Sequence, residues 1–250
     1  MKRVPLSSAG VENAEAFDWI AYFEYNNAHL LKIDYTVCNE LTCDEIKLIT
    51  PSIKAFQIGE GSEGKHLWKT VVKFSEKSGY TRYREIMRWF IIEENRHSNT
   101  IKRYMNAYGI STSKHLWIDN VFRLMRKPMG IGCEVIVLVT AEMIALSYYD
   151  ALAKATRSKQ LKIICDQMLH DELRHVVLQS DTLRRLSQRR NKLTNQIVRA
   201  VRKILMRATA FVVWHKFRSM FVAGGYSYQD FRSNCKGYLK ESMNIESAGQ

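Results

Sequence analysis

Proline and glycine are scarce in this 250-residue chain, with three and twelve respectively, so little interrupts long regular elements. Cysteine is scarce too. The five thiols include no C-x-x-C pair, which argues against a disulfide framework and against a thiolate zinc site. No run of about 18 apolar residues is free of charge, so no membrane-spanning helix is expected. The basic start MKRVPLSSAGVENAEAF has no apolar stretch behind it and reads poorly as a secretion signal. Alternating, strand-like segments are missing as well. What is present is a 46% hydrophobic, 25% charged composition with a net charge of +13. That describes a packed, helix-rich, cytoplasmic protein with an anionic partner.

Helical periodicity runs through most of the chain. It predicts a first helix over 12–31, then an apolar stripe starting at Pro51 and stopping at Ser78-Gly79. Further helices are expected over 81–108, 113–126, 131–156, 158–190 and 192–222. The expected organisation is a single all-α domain over 1–225 with a loosely ordered tail over 226–250. Within it, a bundle over about 50–190 bears the chemistry and a basic helical extension spans 181–223. Residues 181–250 hold 14 Lys and Arg against 4 Asp and Glu, and so most of the excess charge.

Two short motifs repeat. Glu93-Glu94-Asn95-Arg96-His97 and Asp171-Glu172-Leu173-Arg174-His175 share the order acid, Glu, any residue, Arg, His. Residues three apart lie on one helix face, so Glu94 with His97 and Glu172 with His175 each form a two-ligand edge. A third ligand for one edge is Glu142, an acid inside the apolar run LVTAEMIALSYY, where an uncompensated charge is costly. It lies 30 residues before Glu172, and a turn near Arg157 brings the two level. The other edge has two candidates, Glu60 and Glu63, which precede Glu94 by 34 and 31 residues. Hairpin symmetry about Ser78-Gly79 favours Glu63. A Glu plus a Glu-x-x-His, taken twice, is the ligand set of ferritin-like di-iron and di-manganese bundles. Carboxylates with one imidazole per metal suit iron or manganese.

The stretch Trp89–Ser98, WFIIEENRHS, resembles the W-x-x-x-E-E-N-R-H-G motif of the soluble acyl-carrier-protein desaturases. Ile164–His175, ICDQMLHDELRH, is similar to the second motif of that family. Aligned on Ile58-Gly59-Glu60, the first hairpin matches the family's I-T-E-E start, and on that alignment Glu60 is preferred over Glu63. The resemblance covers roughly residues 50–180, and TAEMIALSYYDAL keeps only the Glu of the third-helix motif.

That resemblance implies a ferritin-like four-helix bundle with additional N- and C-terminal helices. It implies two iron ions, with manganese as the other choice, held by Glu60, Glu94, His97, Glu142, Glu172 and His175. Glu93, Asp171, Arg96 and Arg174 are expected around those ligands, each acid orienting the histidine of the other motif and the arginines bridging the acids. The implied activity is oxidation of an organic substrate with dioxygen, by desaturation, hydroxylation or N-oxygenation, on a small-molecule or acyl substrate. A ferredoxin or flavoprotein electron donor, an acidic carrier protein at the basic 184–207 segment and a homodimer accompany it. Rubrerythrin- or ferritin-like peroxidase or ferroxidase activity is the other enzymatic reading, and a tRNA-modifying di-iron hydroxylase would join the metals to the basic charge. A basic protein that binds nucleic acid or a carrier protein around a relict metal site is the reading from another class. Tyr148, Tyr149 and Trp89 lie near the motifs, and the expectation is that they are core residues.

Overall fold

The structure, a computed structural model, describes residues 3–61, 64–112 and 130–247. The described residues contain helix and no strand, as the all-α expectation requires. A 3-10 turn at Leu6–Ala9 precedes eight helices: α1 Trp19–Ala28, α2 Cys43–Glu60, α3 Gly64–Ser78, α4 Thr81–Ala107, α5 Ile131–Ala155, α6 Lys159–Ser187, α7 Lys192–Ala223 and α8 Tyr228–Ser247. The helix expected over 113–126 lies outside the described residues.

Local chemistry sets the boundaries, and in four places it departs from the periodicity. α1 is shorter than 12–31 because Asp18 caps it, accepting a hydrogen bond from the Ala21 amide. α2 does not start at Pro51. It starts eight residues earlier, where Thr42 and Glu45 form a reciprocal capping box, and Pro51 sits inside the helix. The apolar stripe is then cut in two at Gly61, so α2 and α3 are separate elements. The tail expected to be loose is helix α8. Ser227 and Asp230 exchange backbone-to-side-chain hydrogen bonds at its start, and Phe231, Cys235, Tyr238, Leu239 and Ser242 are buried along it. That inward face was hidden from a hydropathy reading by its Asn, Ser and Tyr content.

Contacts divide the chain into two compact units. One comprises Asp18–Glu134 and Arg157–Ile164, the other the residues up to Phe17, Val135–Thr156 and Cys165 onward.

In the first unit α4 is the hub, packed against α1, α2 and α3. Its inward residues include Ile86, Met87, Phe90, Ile101 and Met105, all nearly inaccessible. At 100° per residue they fall within about a third of the helix circumference, and they bury an apolar stripe against three partners. Ser98 on α4 both donates to the Gln57 carbonyl and accepts from the Gln57 side chain, each at 2.9 Å. A Cβ on Gly61 would lie 2.7 Å from the Ser98 hydroxyl, so the bare glycine is what lets the end of α2 come this close to α4.

In the second unit α7 packs on α8, and α8 on the N-terminal turn. Trp214, Phe221 and Phe231 stack with ring centroids 4.5–5.9 Å apart. α5 carries the most apolar sequence, with an 18-residue window of mean hydropathy 1.8. By length and composition alone it is able to cross a membrane, contrary to the expectation drawn from charge-free runs, and 78% of that window is buried inside the protein. Tyr148 and Tyr149 are fully buried in it, as core residues. Burial pushes the Cys165 thiol well up, and Cys235 up to about 12, so neither is a reactive thiolate at neutral pH.

Gly224, which ends α7, is pressed against α5. A Cβ there would stand 2.3 Å from the Ala151 carbonyl oxygen and 2.9 Å from the carbon atoms beside it. Backbone cannot yield as a flexible side chain would. Gly224→Ala is therefore expected to destabilise the protein by about 1–3 kcal/mol in urea denaturation. Gly59→Ala, where the added methyl meets nothing within 4 Å in a helix, is expected to be neutral or mildly stabilising.

Candidate metal centre

Each compact unit contains one buried cluster of two carboxylates and an imidazole. In the first unit, α4 presents Glu94 and His97 on one face, and α2 ends on Glu60. All three are buried. His97 Nδ1 lies 3.9 Å from a Glu60 oxygen and 3.8 Å from a Glu94 oxygen. The Gln57–Ser98 hydrogen bonds hold α2 and α4 together one turn from Glu60 and one residue from His97. Of the two candidates on the first hairpin, Glu60 is thus beside His97, while Glu63 lies outside the described residues.

In the second unit, α6 presents Glu172 and His175, and α5 supplies Glu142. Each offers one ligand atom, and these atoms lie within 4.8 Å of one another. His175 Nδ1 is 3.5 Å from a Glu172 oxygen. His175 is wholly inaccessible and Glu172 almost so.

Separations of 3.5–3.9 Å are longer than a hydrogen bond. They are close to the ~3.0–3.5 Å expected between two donors that share a cation at a bond length of about 2.1 Å. Gathering two carboxylates out of water is unfavourable by desolvation and by mutual repulsion, and a divalent cation reverses both terms. Two hard oxygen donors with one borderline nitrogen suit iron or manganese better than copper(I) or a thiolate-preferring ion.

The surrounding residues are only partly those expected. Glu93, buried on α4, places an oxygen within 4.8 Å of a His97 ring nitrogen. It is held by Asn26 of α1 at 3.0 Å and by Arg96 one turn along its own helix. Asp171 is likewise buried, with both oxygens 2.9 Å from the Gln167 amide and one 3.1 Å from His170 Nδ1. Arg174 turns back to His170, its guanidinium 2.7 Å from the ring and 3.2 Å from the His170 carbonyl.

Asn26, Gln167 and His170 were not singled out by sequence. Gln167 and His170 lie four and one residues from Asp171 and were open to helical-neighbour reasoning, whereas Asn26 is 67 residues from Glu93. A further buried acid, Glu134, pairs with half-exposed His66 at 2.5 Å, and no spacing signals that contact.

The basic segment 184–207 is not one uniform face. Arg184 and Arg185 bind Asp181 and Glu15, Arg199 binds Ser247, and Arg202 is entirely buried against Glu246. Arg189, Lys192, Lys203 and Arg207 are exposed.

No protein-family model, curated protein or solved structure matches the chain.

Proposed function

We propose that the protein is a ferritin-like di-iron oxidoreductase that uses dioxygen to oxidise an organic substrate. The observation that carries this reading is the duplication. Glu60 with Glu94 and His97, and Glu142 with Glu172 and His175, are two buried triads of identical chemical make-up on helix pairs. One such cluster is unremarkable for a helical core. Two, each built as Glu plus Glu-x-x-His, repeat the ligand plan of carboxylate-bridged metal pairs.

In this reading each triad would hold one iron ion through its two carboxylates and its imidazole. Iron held there would supply the redox chemistry that dioxygen activation needs. The chain's own contribution is positional. Glu93, fixed by Asn26 and Arg96, keeps the His97 ring in one orientation, and Asp171, fixed by Gln167 and His170, is the corresponding rigid acid of the second motif. On the neighbouring turns of the same helices Phe90, Ile101, Val139, Met143, Met168 and Val176 are all inaccessible, so each triad lies on buried, apolar stretches of helix. The substrate is a small molecule or an acyl chain, and the electrons come from a separate donor protein.

The test is to load the chain anaerobically with iron(II), count bound iron, and measure oxygen uptake with a chemical reductant in excess. About two irons per chain, magnetically coupled, with oxygen consumed in proportion to reductant, is the expected result. Oxygen consumed only in proportion to added iron, with a ferric mineral formed, would identify a ferroxidase instead. Fewer than one iron per chain would remove the reading altogether.

A further inference from the structure

α7 presents a second surface that the metal reading leaves unexplained. Leu193, Ile197, Val201, Ile204 and Phe211 are 48–66% exposed and recur every three or four residues, with Ala208 completing the row. At 100° per residue they form one straight stripe, about 27 Å long from Leu193 to Phe211. It runs along a single helix whose opposite face, with Leu205, Met206, Ala210 and Val213, is buried in the core. A row of this kind on an otherwise polar surface marks a place where something docks.

The charges that α7 itself carries are all of one sign. Lys192, Lys203, Arg207 and Arg218 are exposed on α7, Arg189 precedes it, and no Asp or Glu occurs from Lys192 to Ala223. The cations already committed to structure, Arg184, Arg185, Arg199 and Arg202, are not part of this set. A second copy of the chain would set Lys203 and Arg207 near their own counterparts with no acid between them. A continuous anionic surface satisfies both halves of the pattern. The apolar stripe enters the boundary between headgroups and acyl chains, and the flanking cations meet phosphates.

We infer that α7 docks the protein on an anionic phospholipid surface, with Ile197, Val201, Ile204 and Phe211 entering the interface and Lys203 and Arg207 reading its charge. The inference is independent of the metal ligands, which lie on α2, α4, α5 and α6.

Cosedimentation with large vesicles tests it. The chain is expected to bind phosphatidylcholine vesicles containing about 30 mol% phosphatidylglycerol, to release them as salt is raised, and to ignore pure phosphatidylcholine. Ile204→Ser with Phe211→Ser is expected to weaken binding about tenfold or more. Lys203→Gln with Arg207→Gln is expected to weaken it comparably at low salt. All four side chains are exposed, so circular dichroism should report an unchanged fold. Absence of binding to the anionic vesicles would overturn the inference. So would equal binding to neutral vesicles, or apolar variants that bind like the parent, which would leave only a general polyanion surface. A dimer in sedimentation equilibrium that Ile204→Ser with Phe211→Ser dissociates would also overturn it, by showing that a second copy covers the stripe.

Discussion

His175→Ala is expected to cut iron retention at its triad by tenfold or more, and Glu94→Ala to do the same at the other. Both are measured by metal analysis after anaerobic loading and desalting. The reason is that each triad offers only three donors, so losing one removes a third of the protein's grip on the ion. A core role for the same residues predicts the opposite pattern of stability. If Glu142 and Glu172 were there to hold the fold, Glu142→Gln would destabilise the metal-free protein. As ligands they are a strain on it, because two acids and an imidazole lie within 4.8 Å of one another away from water. Glu142→Gln removes a charge while keeping the shape. The metal-free variant is therefore expected to melt at a higher temperature than the metal-free parent, while binding less iron. A variant that lost stability and kept its iron would show the cluster to be structural.

Arg202→Ala is expected to produce the largest loss of stability of any single change outside the metal ligands, about 3–5 kcal/mol. The Arg202 side chain is wholly buried, and its guanidinium lies 2.5 Å from Glu246 and 2.7 Å from Ser242. Ser242 in turn meets Ser180 at 2.6 Å, and Ser180 donates to the Val176 carbonyl. The chain of contacts joins α7, α8 and α6. Burial lowers the guanidinium's proton affinity and the Glu246 carboxylate partly restores it, so the charge is retained only through its partner. Truncating Arg202 takes the guanidinium partner away from the buried Glu246 carboxyl. The paired replacement Arg202→Met with Glu246→Leu is expected to recover most of the loss, since it removes both charges and refills the space. Thermal melting of the three variants reads this directly.

The candidate ligand residues were legible because the chemistry is local. Glu94 and His97, like Glu172 and His175, are set on one face by helical geometry alone, and Glu142 stood out as an acid in an apolar run. Glu60 was harder, since choosing it over Glu63 depends on where α2 ends, and the stripe reading ran α2 into α3. The capping box at Thr42 and Glu45 is a local signal, but Pro51 reads as a stronger start until tertiary packing keeps it within the helix. α8 was missed for a different reason. Its buried face includes Asn234, Ser242 and Glu246, polar groups whose partners lie on other helices. Arg202 and Glu246 are 44 residues apart, and nothing in the local sequence distinguishes Arg202 from its solvated neighbours. The all-α character rests on periodicity spread over the whole chain, which explains why it was legible while individual boundaries were not.

The apolar character of α5 matters before the protein is finished. As the chain is synthesised, α5 emerges ahead of α6, α7 and α8, and for that interval a helix of mean hydropathy 1.8 has no partner from its own unit beyond the N-terminal turn. Nascent segments of this composition are the ones that insertion machinery samples. Glu142 stands at the midpoint of Ile131–Ala155, where an acid is most costly in hydrocarbon. One acid near the centre of an otherwise apolar segment raises the cost of leaving that segment in hydrocarbon.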